Sequence, residues 1–330
     1  MFDVITFGSA TRDIFVRSQG FKIIDCDEFI SGKAMAVGAG AKIYIDDLVF
    51  ATGGGGTNTA ATFALQGLKT AYVGLVGNDE SGHEIKKELK DLGVETKFVK
   101  EIELAKTPCS IILSSEKERS ILVYEGASHL LSEEDINWQE IKKTQWFYVA
   151  GLSGKSSEVF KKIIDFAFDN RIRIAVNPGK EQLGERLEEL KGLLNKIDIL
   201  LVNQEEASQI TGIDFKEEEK LFSKFDELVS GIAVMSKGPE GVAVSDGQTI
   251  YRAGIPDSLY VDRTGSGDAF GSGFVAKIIK GGTIQEAIQF GTANATSTIQ
   301  QVGAKKGLLK KDEWGPWPKV EVREEKLSNN

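Results

Sequence analysis

The sequence predicts an α/β chain: a doubly wound, mostly parallel sheet flanked by helices, with a small β appendage acting as a lid. Three observations carry this. Short apolar runs at Val4–Phe7, Ala71–Val76, Trp146–Val149, Ile174–Val176, Ile197–Val202 and Ile232–Ser236 read as strands buried on both faces. Amphipathic helical stretches lie between them. In Ser156–Asp169, for instance, Val159, Phe160, Ile163, Ile164 and Phe166 mark one apolar face. Residues 16–50 and 105–126 break this rhythm, being rich in Val, Ile, Tyr and Thr with glycine turns and little helical periodicity.

This pattern assigns residues 1–15, 51–104 and 127–330 to the core. Residues 16–50 and 105–126 form one small sheet, a lid able to exclude water from a cleft. The tail from Lys310 onward is charged but holds Trp314 and Trp317 around Gly315 and Pro316, so it is expected to pack as an extended strap. No internal repeat or low-complexity segment interrupts the chain.

Bulk properties remove several function classes. The 330 residues are 41% hydrophobic and 27% charged, and the net charge of −9 is spread along the chain. Phosphate backbones need clustered Lys and Arg, so nucleic acid is not an expected partner. No stretch approaches the roughly 18 apolar residues of a membrane span, and the start lacks the pattern of a signal peptide. Cys26 and Cys109 cannot build a disulfide framework and lack zinc spacing, which predicts a reduced, cytoplasmic protein. His83 and His129 have no metal-ligand spacing. Gly154-Lys155-Ser156 imitates a P-loop, but Val149 stands where that loop needs its first glycine. No G-x-G-x-x-G follows a strand, which argues against a dinucleotide oxidoreductase.

The most informative stretch is Asp262-Arg263-Thr264-Gly265-Ser266-Gly267-Asp268, which opens a helix. Glycines let backbone amides approach a ligand closely, and the helix start favours anions. A carboxylate beside such an anion site can take a proton from an alcohol attacking a phosphoryl group. The same Asp could instead cap a glycine-rich helix start. Asn203 and Glu206 follow a buried strand at i, i+3 and suit either a hydrated Mg²⁺ or a helix cap. Asp13, just beyond the first strand, could bind hydroxyls in a bidentate manner or form a turn. Asn58 could bind a hydroxyl or cap the helix Thr59–Leu65.

These segments together resemble the ribokinase-like (PfkB) carbohydrate kinases. Asp262–Asp268 resembles the family's D-T-x-G-A-G-D signature, with Arg263 and Ser266 as departures. Gly53-Gly54-Gly55-Gly56-Thr57-Asn58 resembles the G-G-x-G-x-N substrate loop. The stretch from Val73-Gly74-Leu75 through Asn78-Asp79 to Gly93-Val94 resembles the family segment just after that loop. Asn203-Gln204-Glu205-Glu206 fits N-x-x-E, Ser236–Gly241 resembles the T-x-G-x-x-G nucleotide loop, and Gly303-Ala304 resembles a late nucleotide and cation loop. One glycine motif is weak; six in register over most of the chain are strong.

The resemblance implies an ATP-dependent transfer of the γ-phosphoryl group to a hydroxymethyl of a small sugar, with ATP and Mg²⁺ as cofactors. It implies Asp268 as base, with backbone amides of Gly265, Ser266 and Gly267 holding the migrating charge. Asp13, Gly54, Gly55 and Asn58 would hold the acceptor; Ser236, Gly238, Gly241, Asn203 and Asn294 would lie along the nucleotide. Glu206 would organise Mg²⁺ through water, and Asp262, Thr264 and Gly303 would surround a monovalent cation such as K⁺. Gly55 replaces a Lys that ribose-specific members often carry, which predicts an enlarged site and keeps a nucleoside acceptor such as adenosine as the alternative. A homodimer through the lid is a further expectation. A non-catalytic sugar-binding relative would have lost Gly-x-Gly-Asp, which is intact here.

Overall fold

The structure is a computed structural model that describes residues 1–29, 31–115 and 118–327. Position 30 and positions 116 and 117, all within the expected lid segments, and the last three positions of the expected strap lie outside the described residues.

The main sheet has ten strands. They are β1 (Phe2–Phe7), β6 (Thr70–Gly77), β7 (Val99–Ile102), β10 (Thr144–Val149), β11 (Arg173–Val176), β12 (Ile199–Asn203), β13 (Ile232–Ser236), β14 (Val242–Ser245), β15 (Thr249–Ala253) and β16 (Val322–Lys326). Their order is β16-β15-β14-β13-β12-β11-β10-β1-β6-β7, parallel from β7 to β13 and antiparallel from β13 to β16. Each predicted buried run lies on one of these strands, except that β12 starts at Ile199 rather than Ile197. Asp198 is held back from the strand because its carboxylate accepts the Ile174 N–H at 2.7 Å.

Alternating residues of one strand feed two cores, as a sheet covered on both faces requires. Phe147 and Val149 join the core beneath the helix Phe160–Asp169, while Trp146 and Tyr148 join the opposite core with Phe63 and Phe274. The helices that matter below are α1 (Gly55–Leu65), α2 (Glu80–Asp91), α3 (Phe160–Asp169), α4 (Gln204–Thr211), α5 (Glu218–Leu228), α6 (Ser266–Ile279) and α7 (Ile284–Thr298). Two helix starts differ from expectation. Gly154–Val159 is a 3₁₀ turn, with the Ser157 hydroxyl bonded back to the Gly154 carbonyl at 2.7 Å, so α3 starts only at Phe160. Conversely, α1 starts at Gly55, four residues before Thr59, because glycines weak in helix propensity are held there by their surroundings.

A second, four-stranded sheet has the order β5-β2-β8-β9, from β2 (Thr11–Arg17), β5 (Asp47–Gly53), β8 (Cys109–Ser114) and β9 (Arg119–Tyr124). The two irregular segments thus meet in space. The sheet also takes in Thr11–Phe15 and Ala51–Gly53, which the sequence division put in the core, since β2 leaves β1 through a turn of only Gly8-Ser9-Ala10. Within the first segment, β3 (Lys22–Asp25) and β4 (Lys33–Ala36) form their own antiparallel hairpin.

Within the tail, Val322–Lys326 is a strand. Trp314 packs edge-on against Phe290, with centroids 5.6 Å apart, and Lys277 and Lys319 lie over its ring. From there β16 pairs with β15 and extends the main sheet. Among the described residues no helix is long and apolar enough to cross a membrane.

Candidate active site

Two helix starts face each other at the ends of the parallel strands. Gly265 caps α6 with φ 76°, and a Cβ there would come within 2.3 Å of the Ala304 Cβ, so both backbone angle and space demand glycine. Gly54 caps α1 with φ 96°, and a Cβ there would meet the Ser9 carbonyl oxygen at 2.4 Å. The first turn of each helix leaves backbone N–H groups without an intrahelical partner, and the dipole there favours negative charge.

Asp268, the third residue of α6, and Asn58, in the first turn of α1, join these starts. The Asn58 amide donates to Asp268 Oδ2 at 2.8 Å across 210 residues of sequence. Asn58 therefore does not cap α1; Gly54 occupies that position, and Asn58 points across to the carboxylate. Asp268 is partly open to the cleft, yet protein packed around its carboxyl pushes the pKa up. The Asn58 hydrogen bond and the Lys305 charge pull the other way. A carboxylate raised toward neutrality is a stronger proton acceptor than an ordinary aspartate.

Gly55 lies beside this carboxylate. A Cβ at Gly55 would sit 3.6 Å from Asp268 Oδ1 but only 2.9 Å from the Ala150 Cβ. The space beside it is therefore not simply open. Glycine there also serves a close approach to Ala150.

Asp13 lies on β2 and is 5% exposed. Its Oδ1 accepts from the Thr11 hydroxyl at 3.0 Å. Burial pushes its pKa up, opposed by Thr11, Lys305 and Ser110, with Asp262 adding to the rise. Asp13 is thus a strand residue of the small sheet rather than a turn former.

Lys305, which sequence reasoning missed, sits among these acids. It is 8% exposed, its Nζ donates to the Thr52 hydroxyl at 2.6 Å, and it lies 3.3 Å from Glu88 Oε2. Burial pushes its pKa down, while the charges of Glu88, Asp13 and Asp268 push it up. The only sequence signal was its place directly after Gly303-Ala304. Neighbouring Lys306, of the same residue type, is exposed, so composition could not tell them apart.

On the other side of the α6 start, a cleft of about 170 Å³ is lined by Asn177, Asn203, Glu206, Ser236, Gly267 and Phe270. Asn203 and Glu206 form a reciprocal cap on α4: Asn203 Oδ1 accepts the Glu206 N–H at 2.9 Å, and Glu206 Oε2 accepts the Asn203 N–H at 2.8 Å. Capping and a place at the cleft therefore coexist. Burial raises the Glu206 pKa, the Asn203 N–H opposes this, and Glu205 adds to it. Ser236 ends β13 at the cleft. Gly238 (φ 55°) and Gly241 (φ 95°) shape the turn behind it, and a Cβ on Gly241 would strike the Ala253 carbonyl at 2.0 Å.

Two other predicted groups behave differently. Asn294 is fully buried and commits both ends of its amide, donating to the Ala269 carbonyl and accepting the Leu309 N–H. It braces α6 against α7 and is not brought to the cleft. Asp262, Thr264 and Gly303 do meet: Asp262 accepts the Thr264 N–H and hydroxyl on Oδ1 and the Gly303 N–H on Oδ2. Arg119, from β9, stands 3.6 Å from Asp262 Oδ1. Among the described residues no group of three or more His, Cys, Asp or Glu could hold a metal.

Comparison with known proteins places the chain among related sequences and folds. The pfkB family carbohydrate kinase pattern matches residues 13–311. An ATP-dependent 6-phosphofructokinase of Thermoanaerobacterium thermosaccharolyticum is 26% identical, covering 92% of this chain and 89% of that protein. A ribokinase of Haemophilus influenzae is 27% identical over 80% of this chain and 86% of its own length. The structure of Arabidopsis thaliana ribokinase complexed with ribose and ATP superposes with a TM-score of 0.75 at 22% identity, covering 94% of this chain and 96% of that one.

The Lys305 charge yields a test that needs no substrate. Its ammonium favours the ionised forms of Asp268 and Asp13, so Lys305→Met should raise both carboxyl pKa values. Carbon-13 NMR titration of the aspartate carboxyls in the folded variant measures this. Unmoved titrations would mean that Lys305 does not set the charge state of these groups.

Proposed function

The chain belongs to the pfkB family of carbohydrate kinases, and on that footing we propose that it transfers the ATP γ-phosphoryl group to a hydroxymethyl of a small sugar. The observation that carries the proposal is the Asp268 carboxylate, held by Asn58 in the first turn of α6 beside the backbone N–H groups of that helix start. In this reading Asp268 takes the proton of the attacking hydroxyl. The new oxygen–phosphorus bond forms as the bond to the ADP oxygen breaks. The N–H groups of Gly265, Ser266 and Gly267 stabilise the charge on the transferring group, the main demand of this reaction class.

Asp13 binds acceptor hydroxyls, with Gly54, Gly55 and Asn58 forming the facing wall. Asn203, Ser236, Gly238 and Gly241 follow the nucleotide. Glu206 suits a hydrated Mg²⁺, since a carboxylate whose charge is disfavoured by burial gains from a nearby cation, and capping engages only one of its oxygens. Such an ion would neutralise phosphate charge. A monovalent cation at Asp262, Thr264 and Gly303 would have to share Asp262 with Arg119, so this reading assigns it no role.

The small sheet is the lid in this account. Its outer face, with exposed Leu48, Phe50 and Leu122, is where a homodimer would form. Two free cysteines fit a reduced, cytoplasmic setting.

The testing experiment is a panel of sugars, sugar phosphates and nucleosides with ATP, read as ADP release. Turnover of a sugar bearing a free hydroxymethyl is expected. ADP release no greater than the acceptor-free background across the panel would overturn the proposal, and preference for nucleosides would move the acceptor to that class.

Glu206→Gln keeps a side chain able to accept the Asn203 N–H while removing the charge. It should raise the Mg²⁺ concentration for half-maximal rate and leave the fold intact. An unchanged Mg²⁺ dependence would leave Glu206 only its cap.

A further inference from the structure

The inner face of the small sheet changes character along its length. Strand register puts Asp13, Ala51 and Ser110 side by side at its base, then Phe15, Val49 and Ile112, then Arg17, Asp47 and Ser114, with Arg119 paired to Ser114. Residues two apart on a strand share a face, so this is one surface: a carboxylate that accepts hydroxyl hydrogens, an apolar middle and a cationic tip. Four residues of strand place the tip about 13 Å from Asp13, a gap that an arginine side chain partly closes.

A cavity of about 670 Å³ lies between this face and the core segment Tyr260–Arg263, with Phe15, Arg17, Arg119 and Arg263 among its walls. Gly303 connects it to the site, since a Cβ there would lie 3.2 Å from Ala51 and 4.0 Å from Phe15. Three acids share the cavity wall, but two are committed. Glu118 pairs with Lys33 at 3.3 Å, and Asp262 holds Thr264 and Gly303. Arg119 reaches Asp262 at 3.6 Å, and Arg263 stacks on Tyr260 at 4.3 Å. Neither Arg17 nor Arg263 makes an ion pair among the described residues, which leaves Asp47 as the uncommitted acid against two uncommitted guanidinium groups.

We propose that Arg17 and Arg263, aided by Arg119, bind an anionic group at the far end of the acceptor, so that the acceptor is a sugar phosphate monoester. Guanidinium forks match phosphate oxygens in bidentate pairs, and converging arginines from sheet and core would engage only when both walls close on the ligand. This rests on the kinase reading and explains Arg263, the departure from the family pattern that the chemistry at Asp268 does not use. The hydroxyl end would lie at Asp13 and Asp268, the carbon skeleton over Phe15 and Ile112, and the phosphate at the tip.

The test compares fructose 6-phosphate, fructose and gluconate as acceptors with ATP, alongside calorimetric binding of fructose 6-phosphate without turnover. Wild-type protein should use the phosphate ester at least tenfold better by kcat/KM than fructose. Arg17→Gln and Arg263→Gln, both exposed positions, should each raise its KM by roughly tenfold or more, the reach of a charge-assisted hydrogen bond. The KM for ATP should stay unchanged. Equal use of fructose, or equal losses for both sugars in the variants, would overturn the anion site while leaving the kinase reading intact. Preference for gluconate would replace phosphate by carboxylate and overturn the assignment. Tight binding of fructose 6-phosphate that the arginine variants abolish, with no turnover of any acceptor, would uphold the anion site and overturn the kinase reading.

Discussion

The hydrogen bond from Asn58 to Asp268 is the interaction on which the rest of the site depends. It fixes where the starts of α1 and α6 stand relative to each other, and everything else is arranged to permit that approach. Gly54 and Gly265 hold positive φ angles and leave no room for a side chain, against Ser9 and Ala304 respectively. Gly55 and Gly56 let α1 sit against Ala150 and Gly8. The cost is a helix that begins on residues of poor propensity, which tertiary contacts offset. The result is two positive helix ends converging on one carboxylate.

Charge placement depends on the same approach. A carboxyl deep in protein prefers to be neutral, and both Asp13 and Asp268 are raised for that reason. Lys305 answers both at once and is itself kept from losing its proton by Glu88. Glu88 belongs to α2, where a second acid, Glu84, pairs with Arg12 of β2. The buried lysine therefore joins three elements: the loop after α7, the base of the small sheet and α2. Removing one partner of such a cluster leaves a buried charge uncompensated, the costly direction for ion pairs.

Much of this was legible in the sequence, for specific reasons. Parallel strands buried on both faces read as uninterrupted apolar runs, so Trp146–Val149 and Ile232–Ser236 were visible without context. Gly265-Ser266-Gly267-Asp268 was visible because glycine spacing reports a backbone demand directly. The pairing of residues 16–50 with 105–126 into one sheet was suggested by their shared composition, but neither its register nor its extension to Thr11 and Gly53, which depend on strand contacts. Lys305 was invisible, since a buried lysine and its exposed neighbour Lys306 look alike in one dimension. The cap at Asn203 and Glu206 and their place on the cleft read as alternatives in the sequence, whereas the folded backbone satisfies both geometries at once. Asn294 shows the reverse limit: its residue type suits a ligand, but its amide is spent on Ala269 and Leu309 away from the cleft.

The central claim is that the Asp268 carboxylate, rather than the surrounding amides alone, takes the acceptor proton. Asp268→Asn tests it most directly, because the amide preserves size and can still bond Asn58 while losing the ability to accept a proton. Single-turnover rates, measured under conditions where phosphoryl transfer limits and with ATP binding followed separately, should fall by about 10²–10⁴-fold while ATP affinity stays nearly constant. A variant that transfers the phosphoryl group at close to the wild-type rate would contradict the account.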